Sequence, residues 1–222
     1  MTTVAVLGAT GTAGARVVAG LRERGVTVVP VSRATGVDLV TGAGLTAALS
    51  GVDVVVDVSN PYPAGDVDLV AALAGTTEHV VAACAANRVR HLVFLSIAGV
   101  HDHAFDAFPY FVAKRAQERV VAEGGVPSTI ISSAQWLEFA TNRSVATFED
   151  DRVVVQDWLV QPIPVATVVD VLIETTTAAP GRHRTVAGPA ARRLPDVAAK
   201  MLAEHGDPRP VVGAPAPLTA LA

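Results

Sequence analysis

The sequence predicts an α/β protein built around a doubly wound parallel sheet. Hydrophobic residues make up 50% of the 222 residues and aromatic residues only 5%, a balance that suits buried parallel strands rich in small aliphatic side chains. Short apolar strands alternate with helical patterns, which is typical of successive β-α-β units. The third observation is a glycine-rich turn directly after the first strand.

The amino-terminal segment predicts one complete β-α-β unit. The apolar run Val4–Leu7 precedes three glycines spaced G-x-x-G-x-x-G from Gly8 to Gly14. Residues 12–24 then have the apolar spacing of a helix with one buried face, and residues 26–31 form a second strand. A glycine turn in this context directs backbone N–H groups and a helix N-terminus toward one point. That geometry suits a pyrophosphate, so we expect a dinucleotide site.

The residues after the second strand indicate which dinucleotide is bound. A carboxylate there would bind the ribose 2′-hydroxyl of NAD, but the chain has Ser32 and Arg33, with no carboxylate before Asp38. Arg33 can form a bidentate pair with a 2′-phosphate, which favours NADP over NAD. The alternative is that Arg33 is a solvated surface residue.

The rest of the chain continues the alternation of strands and helices. The patterns predict a strand or turn at 36–39, a helix at 45–49, a strand at 51–58, a helix at 66–86, a strand at 91–96, a helix at 109–123, strands around 129–131, 153–155 and Leu159, a helix at 165–176, a strand and turn at 185–188 and a helix at 194–204. We expect one domain over residues 1–206, with a small carboxyl-terminal substrate-side lobe mainly within 135–206. Residues 207–222 are rich in proline and predict an extended or mobile tail.

Composition excludes several classes of function. The net charge is −4 and no basic patch stands out, so nucleic acid is not an expected partner. No apolar run reaches the roughly 18 residues that a membrane span needs, and we expect no signal peptide because the first strand already opens at Val4. Cys84 is the only cysteine; it excludes an internal disulfide, fits a cytoplasmic location and is expected in the core. No metal-ligand spacing is present.

A second group of residues predicts proton chemistry beside the dinucleotide. Ser96 closes an apolar strand, and Tyr110 precedes Lys114 by one helical turn, which places both on one helix face. The lysine charge is expected to lower the pKa of Tyr110 toward the operating pH. Nicotinamide would give hydride to a carbonyl carbon, Tyr110 a proton to its oxygen, and Ser96 a hydrogen bond. A Tyr-x-x-x-Lys pair alone is common on protein surfaces. The prediction therefore depends on its combination with the glycine turn and with Ser96 at a strand end.

Together these motifs resemble the atypical, NmrA-like, NAD(P)H-binding branch of the short-chain dehydrogenases/reductases. The resemblance covers roughly residues 3–205 and depends on Gly8–Gly14, Leu92–Val100, the pair Tyr110 and Lys114, and Ser132–Trp136. It implies a Rossmann-like fold, a nicotinamide cofactor and a Ser-Tyr-Lys catalytic set.

The resemblance also implies which residues contact the ligands. For the cofactor they are Gly8, Thr10, Gly11 and Gly14 at the pyrophosphate with Thr12 and Ala13 at the adjoining helix start, Asp38 and Leu39 near adenine, Ser59 and Asn60 near the ribose and diphosphate, Lys114 at the nicotinamide ribose, and Ala134 at the nicotinamide. The candidates for the substrate are His101, Phe105, Phe108, Trp136 and Phe139, with Trp158 in the same region. Each aromatic candidate could equally be a core residue.

Three functions fit these residues. The first is an NADPH-dependent oxidoreductase acting on a small, partly apolar carbonyl compound. The second is a non-catalytic NADP(H)-sensing protein, since the branch includes members that have lost the tyrosine, and the third is an epimerase or dehydratase-like reaction with bound cofactor. Retention of Tyr110 favours the first. A homodimer is an expected assembly because symmetric dimers are the commonest oligomers.

Overall fold

A computed structural model describes residues 2–62, 67–181 and 183–216 of the chain. The chain divides into two compact units, of which the first contains Met1–Ser132 and Ala166–Thr185 and the second contains Ser133–Val165 and Val186–Ala222.

The helices and strands follow one another largely as the sequence predicts. In chain order they are β1 (Thr3–Leu7), α1 (Thr12–Glu23), β2 (Thr27–Val31), α2 (Leu45–Ala48), β3 (Val54–Asp57), α3 (Leu69–Ala86), β4 (His91–Ile97), α4 (Pro109–Glu123), β5 (Ser128–Ser133), β6 (Ala146–Phe148), β7 (Val153–Gln156), β8 (Leu159–Val160), α5 (Val165–Thr175), β9 (Arg184–Val186), β10 (Arg192–Arg193), α6 (Leu194–Glu204) and β11 (Val211–Ala214). Short 3₁₀ helices cover Arg33–Thr35, His103–Phe105 and Leu137–Thr141.

A six-stranded sheet organises the first unit. Its order is β2-β1-β3-β4-β5-β9, and β1 runs parallel to β2 and β3 while β3 runs parallel to β4. The chain adds β2 on one side of β1 and β3 on the other, so the order reverses beside β1. In open sheets of this kind, ligands bind at such a reversal, outside the carboxyl ends of the strands. The predicted fold class is therefore confirmed.

The core of the first unit explains the near-continuous apolar character of its strands. One buried cluster joins side chains of β1, β3 and β4 to side chains of the helices packed on the sheet, among them Leu45, Val80 and Val121. Strands covered by helices carry apolar residues on successive positions rather than on alternate ones. Cys84 is fully buried in this cluster, and burial raises the pKa of its thiol to about 12.

Helix α3 bears on the expectation that the chain contains no membrane span. Within the described part of the chain, it is the one helix long and apolar enough to cross a membrane by length and composition alone, whereas the sequence predicts no such segment. A single helix of this kind is weak evidence for a membrane span, because the core helix of a globular domain meets the same test. Leu73, Val80 and Cys84 of α3 are fully buried in the protein, as in a core helix.

The stretch after β2 forms a turn rather than a third strand. Gly36 has φ +81°, in the left-handed region that favours glycine. The Asp38 N–H donates to the Ala43 carbonyl at 3.0 Å, and the Asp38 carboxylate accepts from the Val40 N–H at 2.9 Å. The start predicted for the helix at 66–86 lies partly outside the described residues; α3 begins at Leu69, capped by Asp68.

The second unit contains two small sheets and α6. β7 pairs antiparallel with β6 and parallel with β11, and β8 pairs antiparallel with β10. Within the tail over 207–222 that the sequence predicts to be extended or mobile, Val211–Ala214 is an extended strand, and the Asp157 N–H donates to the Ala214 carbonyl at 2.7 Å. Residues 217–222 lie outside the described part of the chain.

Candidate cofactor site and proton donor

The predicted glycine turn joins β1 to α1. Gly8 has φ +76°, a conformation that glycine adopts without steric cost. Its N–H donates to the Val31 carbonyl of β2 at 3.1 Å, and the Gly11 N–H donates to the Gly8 carbonyl at 2.9 Å. These bonds fix the chain reversal at the end of β1 and bring the start of α1 to the carboxyl edge of the sheet.

Close packing explains why two of these positions must lack a side chain. A Cβ atom at Gly14 would lie 2.1 Å from the Gly8 carbonyl oxygen, and one at Gly8 would lie 2.9 Å from the Ser59 Cα. The turn is thus pressed against both α1 and the segment that follows β3. The first N–H groups of a helix have no intrahelical acceptor, and the N-cap residue Gly11 has no side chain to satisfy them. The resulting cradle of N–H groups fits a dinucleotide pyrophosphate.

The segment after β2 carries the residues predicted to meet the adenosine end of the cofactor. The Ser32 N–H donates to Thr35 Oγ1 at 2.9 Å, which orders the short helix that Arg33 begins. Arg33 is exposed. Asp38 is half-buried in the following turn, and the Leu39 side chain packs into the core cluster. Arg33 is accordingly available to an anionic ligand, while the Leu39 side chain serves the core.

Asp57, the last residue of β3, is a buried acid beside the turn. It is 2% exposed, and its carboxylate accepts a hydrogen bond from the Ser59 N–H at 2.9 Å. Burial raises the pKa of Asp57, while the hydrogen bonds from Ser59 and the charge of Lys114 act in the opposite direction. Asp57 thereby fixes the conformation of Ser59, the residue on which Gly8 packs.

Tyr110 lies in the first turn of α4 and is tied to this same strand end. The side chain of Asn60, which directly follows Ser59, forms a hydrogen bond with Tyr110. The Tyr62 ring lies 6.3 Å from the Tyr110 ring, centroid to centroid. Burial raises the pKa of Tyr110 to about 12, the Asn60 hydrogen bond lowers it and Tyr62 raises it. Tyr110 is therefore protonated at neutral pH.

The other two predicted catalytic residues are Ser96, on β4, and Lys114, on α4. Ser96 is 1% exposed, and its Oγ has no hydrogen-bond partner among the described residues. A buried hydroxyl without a partner is costly, and a ligand oxygen would satisfy it. Lys114 is also buried; its Nζ donates to the Leu95 carbonyl at 3.1 Å and lies 4.6 Å from the centroid of the Phe94 ring.

The expected effect of Lys114 on Tyr110 is wrong in this structure. The pKa of Tyr110 moves up rather than down, because burial penalises the tyrosinate. Burial also lowers the pKa of Lys114 to about 8, with Asp57 and Glu118 acting in the opposite direction. The spacing of the two residues in sequence is as expected, but the lysine ammonium bonds to the β4 backbone.

The candidate substrate residues fall into two groups. His101, Phe105 and Phe108 belong to the first unit: His101 Nε2 lies 2.8 Å from Glu118 Oε2, and both phenylalanines pack on Phe111, with ring centroids 4.4 and 5.4 Å away.

The second unit contains the other three candidates, Trp136, Phe139 and Trp158, together with the nicotinamide candidate Ala134. The Trp136 Nε1–H donates to Ser133 Oγ at 3.0 Å, the Phe139 ring lies 5.9 Å from that of Trp158, and the Ala134 N–H donates to the Val186 carbonyl at 2.8 Å. Their predicted contacts with ligands stay predictions.

Two contacts of the site were not foreseen from sequence. Asn60 was expected at the cofactor, yet it also holds Tyr110. Glu118 follows Lys114 by one helical turn, and that i, i+4 spacing was the available signal. Over the described residues, no group of three His, Cys, Asp or Glu side chains could hold a metal ion.

A largely parallel sheet with a glycine turn at its reversal defines an α/β dinucleotide-binding protein of the Rossmann type. A model of the NAD(P)H-binding family matches residues 8–178, and the chain belongs to that family. This match agrees with the resemblance to the atypical, NmrA-like, NAD(P)H-binding branch of the short-chain dehydrogenases/reductases.

Solved structures support the fold. A short-chain dehydrogenase/reductase superfamily protein from Agrobacterium tumefaciens with bound NAD is 18% identical with a TM-score of 0.74, over 96% of this chain and 85% of that chain. The NADPH-dependent quinone oxidoreductase QOR2 from Escherichia coli, complexed with NADPH, is 18% identical with a TM-score of 0.67, over 96% of this chain and 78% of that chain.

One curated relative has a related sequence. The (4-alkanoyl-5-oxo-2,5-dihydrofuran-3-yl)methyl phosphate reductase of Streptomyces griseus is 35% identical over 141 residues, which are 58% of this chain. The match spans 46% of the relative, slightly less than half of its length.

Proposed function

We propose that this chain is an NADPH-dependent reductase of a small, partly apolar carbonyl compound, with Tyr110 as the proton donor. The observation that carries this function is the hydrogen bond between Asn60 and Tyr110. Asn60 adjoins Ser59, against which Gly8 of the glycine turn packs. The donor is therefore tied to the strand end beside the pyrophosphate cradle.

Each member of the catalytic set has a separate role. Tyr110, which is neutral at pH 7, would donate its hydroxyl proton to the carbonyl oxygen of the substrate, and Ser96 Oγ would hydrogen-bond that oxygen. Bound NADPH would supply the hydride that the carbonyl carbon receives. Lys114 would support the site as a buried cation and as a ligand of the nicotinamide ribose.

The cofactor residues follow from the sequence argument. Gly8, Thr10, Gly11, Thr12, Ala13 and Gly14 would hold the pyrophosphate, Ser59 and Asn60 the ribose and diphosphate, and Ser32 and Arg33 the 2′-phosphate. Asp38 and the backbone of Leu39 would hold the adenine, and Ala134 the nicotinamide. An exposed arginine after β2, with no carboxylate in its place, supports NADPH over NADH.

Two relatives indicate which substrates to test first. One is named as a reductase of a 5-oxo-dihydrofuran phosphate and the other as a quinone oxidoreductase, and both names denote cyclic carbonyl compounds. We therefore propose a panel of quinones, unsaturated lactones and simple ketones. His101, Phe105, Phe108, Trp136 and Phe139 are the proposed substrate contacts.

The second candidate is a protein that binds NADP(H) without turning over a substrate. The position of Lys114 favours this alternative, because its ammonium donates to the Leu95 carbonyl and does not lower the pKa of Tyr110. A cytoplasmic location and a homodimer fit either candidate and are part of the proposal.

A Tyr110→Phe variant tests the assigned donor. Removing the hydroxyl eliminates the transferred proton, so we expect turnover with the best substrate of the panel to fall by about 10²–10⁴-fold. NADPH affinity, measured by the change in nicotinamide fluorescence, is expected to stay nearly constant. Tyr62→Phe is the matched control, since Tyr62 is the other tyrosine of the chain.

Two outcomes would count against the reductase. Full turnover by Tyr110→Phe would remove Tyr110 as donor. Tight NADPH binding by the native protein without NADPH oxidation across the whole panel would favour the non-catalytic candidate.

A further inference from the structure

Glu118 is a buried acid that the reaction described above does not use. It lies one turn after Lys114 on α4 and is 3% exposed. Its Oε2 atom is 2.8 Å from His101 Nε2, and its Oε1 atom accepts a hydrogen bond from Ser132 Oγ at 3.3 Å. A buried carboxylate is costly unless cations and hydrogen-bond donors compensate it, so its neighbours indicate what it does.

The charged groups around Lys114 come from several elements. The charge of Asp57, on β3, favours the charged lysine, and so does the charge of Glu118 on the same helix. Cys84 on α3 interacts with Asp57, and burial keeps that thiol protonated by raising its pKa to about 12.

The remaining ionisable neighbours engage Glu118 or other partners. His183 Nε2 lies 2.7 Å from Ser132 Oγ, the hydroxyl that also donates to Glu118. Arg115, which directly follows Lys114 in α4, donates to Asp106 at 2.7 Å and to the Val100 carbonyl at 2.8 Å. Two buried carboxylates therefore act on Lys114 through their charge, and the orientation of one, Glu118, is fixed by His101 and Ser132.

We propose that Glu118 is a positioning residue that keeps the buried Lys114 protonated at neutral pH. The catalytic meaning of this role rests on the proposed function, in which Lys114 is a buried cation of the site and a ligand of the nicotinamide ribose. Burial alone drives a lysine toward its neutral form. A carboxylate one helical turn away, with both oxygens anchored, provides the opposing charge without a flexible surface ion pair.

The chain allows a direct measurement, because Lys114 and Lys200 are its two lysines. We would label lysine with ¹³C at Cε, follow both signals by NMR from pH 6 to 11 without cofactor, and assign them with Lys200→Arg. The Lys200 side chain is 76% exposed and serves as an internal reference. In Glu118→Gln, we expect the titration midpoint of Lys114 to fall by about one pH unit, while that of Lys200 stays constant.

Two further variants separate charge from packing. Glu123→Gln removes an exposed carboxylate from the same helix and is expected to leave the Lys114 midpoint unchanged. Glu118→Asp keeps the charge but withdraws it by one methylene, so its shift should be smaller than that of Glu118→Gln. If Glu118→Gln does not fold, Glu118→Asp decides, and an unchanged midpoint in it overturns the role of Glu118.

An unchanged Lys114 midpoint in folded Glu118→Gln, or equal shifts in the Gln and Asp variants, would also overturn it. The NMR signals are recorded without cofactor or substrate. The proposed role of Glu118 can therefore be overturned without affecting the proposed reductase activity, and the reductase activity can be overturned without affecting the role of Glu118. If turnover is found, the alkaline limb of its pH profile should move to lower pH in Glu118→Gln together with the NMR midpoint, and an alkaline limb that stays in place would contradict the catalytic role of Lys114.

Discussion

At the level of single residues, burial acts in opposite directions on the two proton-bearing groups of the candidate site. It raises the pKa of Tyr110 to about 12 and lowers that of Lys114 to about 8, because a low-dielectric environment penalises whichever form is charged. At neutral pH, Tyr110 is therefore protonated and able to donate a proton. Lys114 is a cation whose pKa lies only about one unit above neutral pH. A donor must be protonated before transfer, so the high pKa of Tyr110 is compatible with carbonyl reduction.

The nucleotide preference also depends on one side chain. Arg33 is exposed at the start of the short helix after β2. An Arg33→Asp variant would replace a partner for the 2′-phosphate by a carboxylate that repels it and can accept from the 2′-hydroxyl of NAD. We expect the ratio of NADPH to NADH affinity to fall by at least about tenfold, the value of one charge-assisted hydrogen bond. Titration of both nucleotides by calorimetry measures it.

The control is Arg119→Asp, which makes the same charge change at an exposed position of α4. An affinity ratio that is the same in Arg33→Asp and in the native protein would contradict the assignment of the 2′-phosphate to Arg33.

At the level of elements, local sequence patterns predicted the helices whose bounds depend on local interactions. Helices α1, α4 and α6 were found within one residue of the predicted bounds, because apolar spacing and flanking glycines or prolines mark such helices. β11 was missed, since its partner β7 is more than fifty residues away in sequence and the surrounding prolines indicated an extended tail.

Some features of the candidate site could likewise be predicted from local sequence spacing, and others could not. The spacing predicted Ser96 at a strand end, Tyr110 and Lys114 one turn apart on a helix, and the glycine turn. The raised pKa of Tyr110 did not, because it arises from burial, which outweighs the opposing hydrogen bond from Asn60 in the segment after β3. The bond between Lys114 and the Leu95 carbonyl likewise depends on how α4 packs on β4, which spacing along one helix does not determine.

The junction of β1 with α1 is the element most sensitive to a single methyl group. A Cβ atom at Gly14 would lie 2.1 Å from the backbone oxygen of Gly8, which cannot move without displacing the turn. We expect Gly14→Ala to lower the free energy of unfolding by about 3 kcal/mol and to abolish measurable NADPH binding. Urea denaturation and nucleotide titration provide the two measurements.

Gly75→Ala is the matched control, because Gly75 lies within α3 and a Cβ there meets no heavy atom within 4 Å. Alanine in a helix interior should raise the free energy of unfolding by about 0.5–1 kcal/mol. Equal stabilities of the two variants would contradict the close packing assigned to Gly14.

For the whole molecule, the buried cluster that supports the sheet also links stability to pH through Cys84, the only cysteine. Burial raises the pKa of its thiol from 9.0 to about 12 in the folded protein, so the unfolded chain loses this proton first as the pH rises. Its contribution to stability is complete below about pH 9 and is lost progressively toward pH 12. Between pH 8 and pH 10, this one group should reduce the free energy of unfolding by about 1.4 kcal/mol.

Comparison with Cys84→Ala isolates that contribution. The substitution adds a cost for the smaller side chain that does not depend on pH, while Lys114, Tyr110 and the other titrating groups are common to both proteins. The free energy of unfolding, from urea denaturation at pH 8, 9 and 10, should therefore fall more steeply with pH in the native protein than in Cys84→Ala. Parallel pH dependences would mean that the thiol ionises as readily in the folded core as in the unfolded chain.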